Sequence, residues 1–277
     1  MITKIAGKTL LWSFLLISAG ITLFPIVVVL FGSFMTNMEL TAGAKILPDV
    51  WQFDNYVTAW NKANFSRFTL NSIFVSSMTT MGTLLVAAMA AYAVDRTEFP
   101  GKKAYTGLLA STLFISIGAV VLRPQFDLMV MIGLQKSLWG VILILISAHA
   151  ATYFILIGFL RGIPRELDEA AWIDGCSPAA VFWKIIMPLL RPALAVAGLS
   201  VFQNSWNEYI LPLVFTLSNK SLQTLPVGLA NLRYGIGAAS ESQLMLAGAC
   251  ISILPLLVVY LFTNKSFMQV TLGAVKG

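Results

Sequence analysis

Apolar residues gather in six long stretches, and charged and amide side chains return between them. The stretches are Leu10–Phe34, Leu70–Val94, Tyr105–Val121, Leu138–Leu160, Pro192–Leu217 and Leu244–Thr263. A bilayer core takes about 20 predominantly apolar residues per helix. The third stretch is the shortest, because Arg123 and Pro124 follow it. The pattern predicts an all-α membrane protein with six transmembrane helices, built as one transmembrane domain over residues 1–277. Lys4 and Lys8 precede the first stretch, as they would in a secretory signal. A signal core runs only about 7–15 residues, however, and this stretch runs well beyond that. Ala42 and Ala44 form a weak cleavage-like pattern, but they lie far past the apolar end. The first stretch is expected to stay in place as a spanning helix.

Basic residues set the orientation. The N-terminus, the loops 95–103 and 161–191 and the C-terminus hold eleven Lys and Arg; the loops 36–69, 122–137 and 218–243 hold seven. Cytoplasmic loops carry the excess of Lys and Arg, so both termini are predicted cytoplasmic.

Composition narrows the class. Of 277 residues 58% are hydrophobic and 11% charged, against about 25% charged in soluble domains. That excludes a soluble enzyme, a disordered chain and a nucleic-acid-binding domain. The net charge of +6 is scattered at the ends of apolar runs, so it reads as topology, with the lipid bilayer as surroundings and no nucleic acid partner. His149, Cys176 and Cys250 make neither a metal cluster nor a disulfide framework. Neither a phosphate-binding loop of the form G-x-x-x-x-G-K-[ST] nor an H-E-x-x-H helix occurs. His149 has no glycine-flanked serine beside it. No catalytic residue and no cofactor are expected. An interhelical hydrogen bond is the favoured role for His149. Glu208 and His149 are the groups an ion-coupled carrier would need at membrane depth.

The 161–191 loop carries the densest signal. Pro164 can open a helix, and Glu166, Asp168 and Glu169 then fall where the helix dipole favours acids. Asp174-Gly175 marks a break, and Ser177-Pro178 reads as the cap and first turn of a second helix. Pro188 and Pro192 punctuate its exit. A helix, a sharp turn and a second helix are predicted on the membrane face.

Here a resemblance becomes specific. Glu169-Ala170-Ala171, Gly175, Ile185 and Met187-Pro188, at these spacings, resemble the EAA motif of ABC-importer permeases. The family usually has Leu where Met187 stands. Phe53-Asp54-Asn55-Tyr56 followed by Asn71-Ser72, Phe99-Pro100-Gly101-Lys102-Lys103, Ser205-Trp206-Asn207-Glu208, the run from Thr224 to Leu229 and the tail Gly273–Gly277 are similar to maltose-type membrane subunits. The chain resembles a MalG-like carbohydrate permease subunit.

The resemblance implies a type I ABC importer permease fold and a set of partners. These are a second, MalF-like permease subunit, two copies of a cytoplasmic ABC ATPase and an extracytoplasmic solute-binding protein. ATP hydrolysis would belong to the ATPase. The 161–191 segment would be the coupling loop. Glu169 is expected to pair with a basic group of the ATPase, Ala170, Ala171 and Gly175 to permit close seating and the turn, and Asp174 to be either a contact or a helix-end residue. Asn204, Trp206, Asn207 and Glu208 are candidates for the substrate pathway. Asn204, Asn207 and Glu208 would share one face of a continuous helix. Bonding between helices, or a place near the outer interface, are the competing readings. The leading function is a sugar or oligosaccharide permease. The alternatives are a permease for another solute and an ion-coupled carrier.

Overall fold

The computed structural model describes residues 2–43, 45–62, 64–114, 118–233 and 241–274, all in helices and connecting turns. Ala44, residues 115–117 of the third apolar stretch and Val275, Lys276 and Gly277 of the tail lie outside the described residues. In chain order the α-helices are α1 (Ile2–Gly32), α2 (Asn37–Ala42), α3 (Asp54–Lys62), α4 (Phe65–Arg96), α5 (Lys102–Phe114), α6 (Leu122–Met131), α7 (Leu138–Ser147) and α8 (Ala150–Leu160). They continue with α9 (Glu166–Ile173), α10 (Pro178–Val181), α11 (Met187–Leu189), α12 (Arg191–Trp206), α13 (Ile210–Thr216), α14 (Leu225–Arg233) and α15 (Ser242–Ala274).

Among the described residues, three helical segments are long and apolar enough to cross a membrane: Leu10–Gly32, Phe65–Arg96 and Ser242–Thr263. Two bent pairs, Leu138–Ser147 with Ala150–Leu160 (49°) and Pro178–Leu189 with Arg191–Trp206 (77°), raise this to five if each counts as one span. The fourth apolar stretch therefore bends within itself, whereas the second bend, at Leu190, lies just before the fifth. At the end of α7 the Ser147 hydroxyl donates to the Ile144 carbonyl (2.6 Å), a local side-chain bond that competes with the helix ladder. In the fifth stretch α12 stops at Trp206 and α13 restarts at Ile210. Pro212 explains the stop, since its ring would meet the carbonyl four residues earlier in a continuous helix. In the third stretch, α5 ends at Phe114.

The chain divides into two compact units. One comprises Met1–Ser66 and Val227–Leu254. In it the aromatic loop folds back on the end of α1. Phe34 has Trp51, Phe53 and Tyr56 at ring distances of 5.1 to 5.2 Å. The Asn55 amide donates to the carbonyls of Ser33 and Met35, both at 2.9 Å, and so satisfies backbone groups just past the helix end.

The other unit comprises Arg67–Pro226 and Pro255–Gly277. Its main cluster joins Ala87, Ala88 and Ala91 of α4 to Tyr153, Leu156 and Leu160 of α8, and both to Val181, Phe182, Ile186 and Ala193. Small residues let helix backbones approach where lipid supplies no hydrophobic drive. Gly198 of α12 shows the same closeness, since a Cβ there would lie 3.1 Å from Leu84. Two of the family-like segments meet in this unit. The Asn71 amide donates to the Ser221 and Gln223 carbonyls (3.0 and 2.8 Å), and the Leu225 amide donates to the Ser72 hydroxyl (2.8 Å).

Candidate functional site

The 161–191 segment folds as its residues require. Glu166, Asp168 and Glu169 occupy the first turn of α9. The helix ends in a left-handed turn: Gly175 has φ +81°, its amide donates to the Trp172 carbonyl (3.0 Å), and the Cys176 amide donates to the Ala171 carbonyl (2.9 Å). This pair of bonds satisfies carbonyls at the helix end and favours glycine at the turn. Ser177 then caps α10, accepting from the Ala180 amide at 3.3 Å, with Pro178 in the first turn. The helix widens to a π-turn over Phe182–Ile186, where the Met187 amide reaches back to the Phe182 carbonyl. Pro188, which has no amide hydrogen for the Lys184 carbonyl, follows directly. The expected helix, turn and helix are all present.

The segment is held down by a buried ionic cluster. The Asp168 side chain is 2% exposed and the Arg96 side chain 4%, with Arg96 Nε 3.0 Å from Asp168 Oδ2. Tyr92 donates its hydroxyl to Asp168 Oδ1 at 3.1 Å. Arg96 also holds Asp95 Oδ2 (2.9 Å) and donates to the Ile163 carbonyl (2.9 Å). Arg165 donates to the Asp95 carbonyl at 2.7 Å. The end of α4 thus grips both the entry to α9 and its first turn. Sequence reasoning placed Asp168 among the dipole-favoured acids and missed the clamp. The available signal was an Asp95-Arg96 pair closing a long apolar stretch. At the rim, Glu98 is held below the usual carboxylate range, chiefly by the hydrogen bond from Lys102.

Of the residues expected at the coupling surface, Glu169, Ala170, Asp174 and Gly175 are exposed together on this clamped base. Ala171 is not: it is 6% exposed and packs into the unit's own core. It lies three residues after Asp168 and so shares its inward face. Leu167, Trp172 and Ile173 are exposed at 41, 45 and 87%.

The polar group in the fifth stretch separates. Trp206 is 2% exposed and stacks on Phe202 at 5.8 Å, so its ring is buried in this unit. Asn204 and Asn207 are exposed. Asn207 is the C-cap of α12 and Glu208 lies beyond it, so the turn after Trp206 breaks the assumed common face. Glu208 Oε1 accepts from the amides of Ile210 and Leu211 (3.0 and 3.2 Å), capping α13. His149 sits at the bend between α7 and α8, where its Nδ1 is buried without a hydrogen-bond partner among the described residues. The expected interhelical bond is not formed at that atom.

With this geometry in place, comparison is direct. The family described as "binding-protein-dependent transport system inner membrane component" matches residues 4–265. The chain belongs to this family. It is an inner membrane component of an ABC transport system. It is 37% identical over 236 residues to the trehalose transport system permease protein SugB of Mycobacterium tuberculosis, covering 84% of this chain and 85% of that one. It is 32% identical over 260 residues to the arabinooligosaccharides transport system permease protein AraQ of Bacillus subtilis, covering 92 and 91%. Its fold matches a chain in the crystal structure of a bacterial ABC transporter involved in the import of the acidic polysaccharide alginate. That match has a TM-score of 0.78 and 24% identity, covering 95% of this chain and 96% of that one. The fold is an all-helical type I ABC importer permease fold.

Proposed function

We propose that this family member is the MalG-like transmembrane permease subunit of an ATP-driven importer for a sugar or oligosaccharide. It forms half of the translocation pathway beside a MalF-like permease. Six spans place both termini in the cytoplasm, with residues 1–277 acting as one transmembrane domain. The 161–191 loop seats on one of two ABC ATPase copies, and an extracytoplasmic binding protein delivers the solute. Two permease relatives named for trehalose and for arabinooligosaccharides support the sugar assignment.

The observation that carries the coupling role is the contrast between two neighbours on α9. Asp168 is buried on Arg96, while Glu169 is exposed beside Ala170. A loop clamped at one residue and presenting the next can transmit a push, because the clamp passes displacement of α9 to α4. Glu169 pairs with a basic group of the ATPase, and Ala170, Asp174 and Gly175 border the contact. Asn204 and Asn207 contact the solute through their amides.

The test is co-purification of the chain with its ATPase, followed by sugar uptake into proteoliposomes. ATP-dependent uptake is expected, together with loss of ATPase association in Gly175→Asp. Uptake driven by an ion gradient without ATP would overturn the importer reading.

A further inference from the structure

Beside the clamp, sharing Asp95 and Arg165 with it, an open cavity of about 990 Å³ lies between the start of α5 and the end of α8. Lys102, Lys103, Arg161 and Arg165 line it, against two carboxylates, Asp95 and Glu98. Most of these charges are already engaged. Glu98 holds Lys102 at 2.8 Å, Arg165 donates to the Asp95 backbone, and the Asp95 carboxylate is taken by Arg96 at 2.9 Å. Lys103 and Arg161 remain. Lys103 is exposed with no ion pair among the described residues. Arg161 is 70% exposed and reaches Asp95 only at 3.9 Å.

Apart from Thr106, whose hydroxyl is turned onto the Lys102 carbonyl, the rest of the lining is apolar. Gly107 of α5 and Ile157 of α8 belong to it, and a Cβ at Gly107 would meet nothing within 4 Å. The cavity therefore has a basic mouth at the charged ends of two helices and a small-residue wall along α5. A free anion would use only the mouth. A phospholipid would use both, with its phosphate at Lys103 and Arg161 and an acyl chain along Gly107.

We propose that this cavity binds the headgroup of an anionic phospholipid, of the phosphatidylglycerol class. The basis is charge complementarity at Lys103 and Arg161 together with the open apolar wall. Basic pockets between helices at a membrane surface select such headgroups. The site draws on the chain's place in a bilayer, but the test needs neither the ATPase nor a solute, so its failure would leave the importer reading intact.

The experiment is native mass spectrometry of the purified full chain, released from detergent micelles holding equal phosphatidylglycerol and phosphatidylcholine. The wild type should retain phosphatidylglycerol preferentially. Lys103→Gln with Arg161→Gln should cut that preference by about 25-fold, roughly fivefold per cation. Gly107→Leu should reduce retention of both lipids by filling the wall. Lys136→Gln with Lys220→Gln, remote in sequence from this cavity, should change nothing. Lys103→Gln alone alters an exposed side chain and keeps the test available if the double variant is not monodisperse. An unchanged preference in the Lys103 and Arg161 variants would overturn the proposal. So would displacement of the lipid by inorganic phosphate or glycerol phosphate, which would mark a site for a free anion.

Discussion

Arg96 and Asp168 form a buried ion pair, Nε to Oδ2 at 3.0 Å, that fastens α9 to the end of α4. Each partner is also held from a second direction, Arg96 by Asp95 and Asp168 by Tyr92. Removing Arg96 leaves the buried Asp168 carboxylate without a cation, while removing Asp168 leaves Arg96 with Asp95 alone; breaking a buried pair costs up to about 3–5 kcal/mol. Asp168→Asn should therefore lower the thermal unfolding midpoint of the purified chain. Arg96→Met combined with Asp168→Leu should cost less than the sum of the single changes. Strict additivity would mean that the pair does not act as a unit.

Glu169→Gln and Ala170→Trp change exposed side chains beside that clamp. Their effect on unfolding should stay within about 0.5 kcal/mol. Their effect on ATPase association should be large, since one removes the charge and the other blocks close approach. Ala171→Leu should do the reverse. It overpacks a buried position and should destabilise the chain by about 1–3 kcal/mol, read by the same unfolding and co-purification pair.

Gly175 turns the chain at φ +81° with open space around it, so a side chain there is strained by backbone angle and not by collision. Gly175→Ala should cost about 1 kcal/mol. Gly175→Asn should cost less, because asparagine visits this conformation more readily. Equal destabilisation by both would point to a steric contact instead. Both variants can be ranked by unfolding in detergent.

Glu208 caps α13 through Oε1. Glu208→Ala exposes two amides and should cost about 1 kcal/mol. Glu208→Gln keeps an accepting oxygen and should retain most of the stability and the ATP-driven uptake. An ion-coupled carrier that titrated Glu208 would lose uptake in the Gln variant.

Glu39 accepts the amides of Thr36 (2.7 Å) and Asp49 (2.9 Å). These backbone bonds, first that of Thr36 and then that of Asp49, hold its carboxyl below the ordinary value of 4.5. A depressed folded value means the stabilisation is complete above 4.5 and disappears as pH falls through the depressed value. Unfolding of the wild type should show this loss on acidification. Glu39→Gln should flatten it, and an unchanged acid limb would assign the loss to other groups.

The helix, turn and helix of 161–191 were legible because each signal is local. Gly175 sets a backbone angle, Ser177 satisfies a nearby amide, and Pro178 fits a first turn. The apolar runs were legible for the same reason, since hydropathy is a property of consecutive residues. Breaks inside them were less visible. Pro212 did announce the end of α12 at Trp206, but a composition-based reading passes over one proline in an apolar run.

The sequence by itself determined an apolar helical chain, its local turns and the motif that places it among importer permeases, all set by residues within a few positions of one another. Only the tertiary structure decided which acid of α9 is buried and which is presented. Asp168 and Glu169 are chemically similar neighbours, and α4 chooses between them by placing Arg96 beneath one. It likewise sent Ala171 and Trp206 into the core and turned Glu208 into a cap. Those outcomes depend on which helix packs against which face, and that is settled by contacts between residues far apart along the chain.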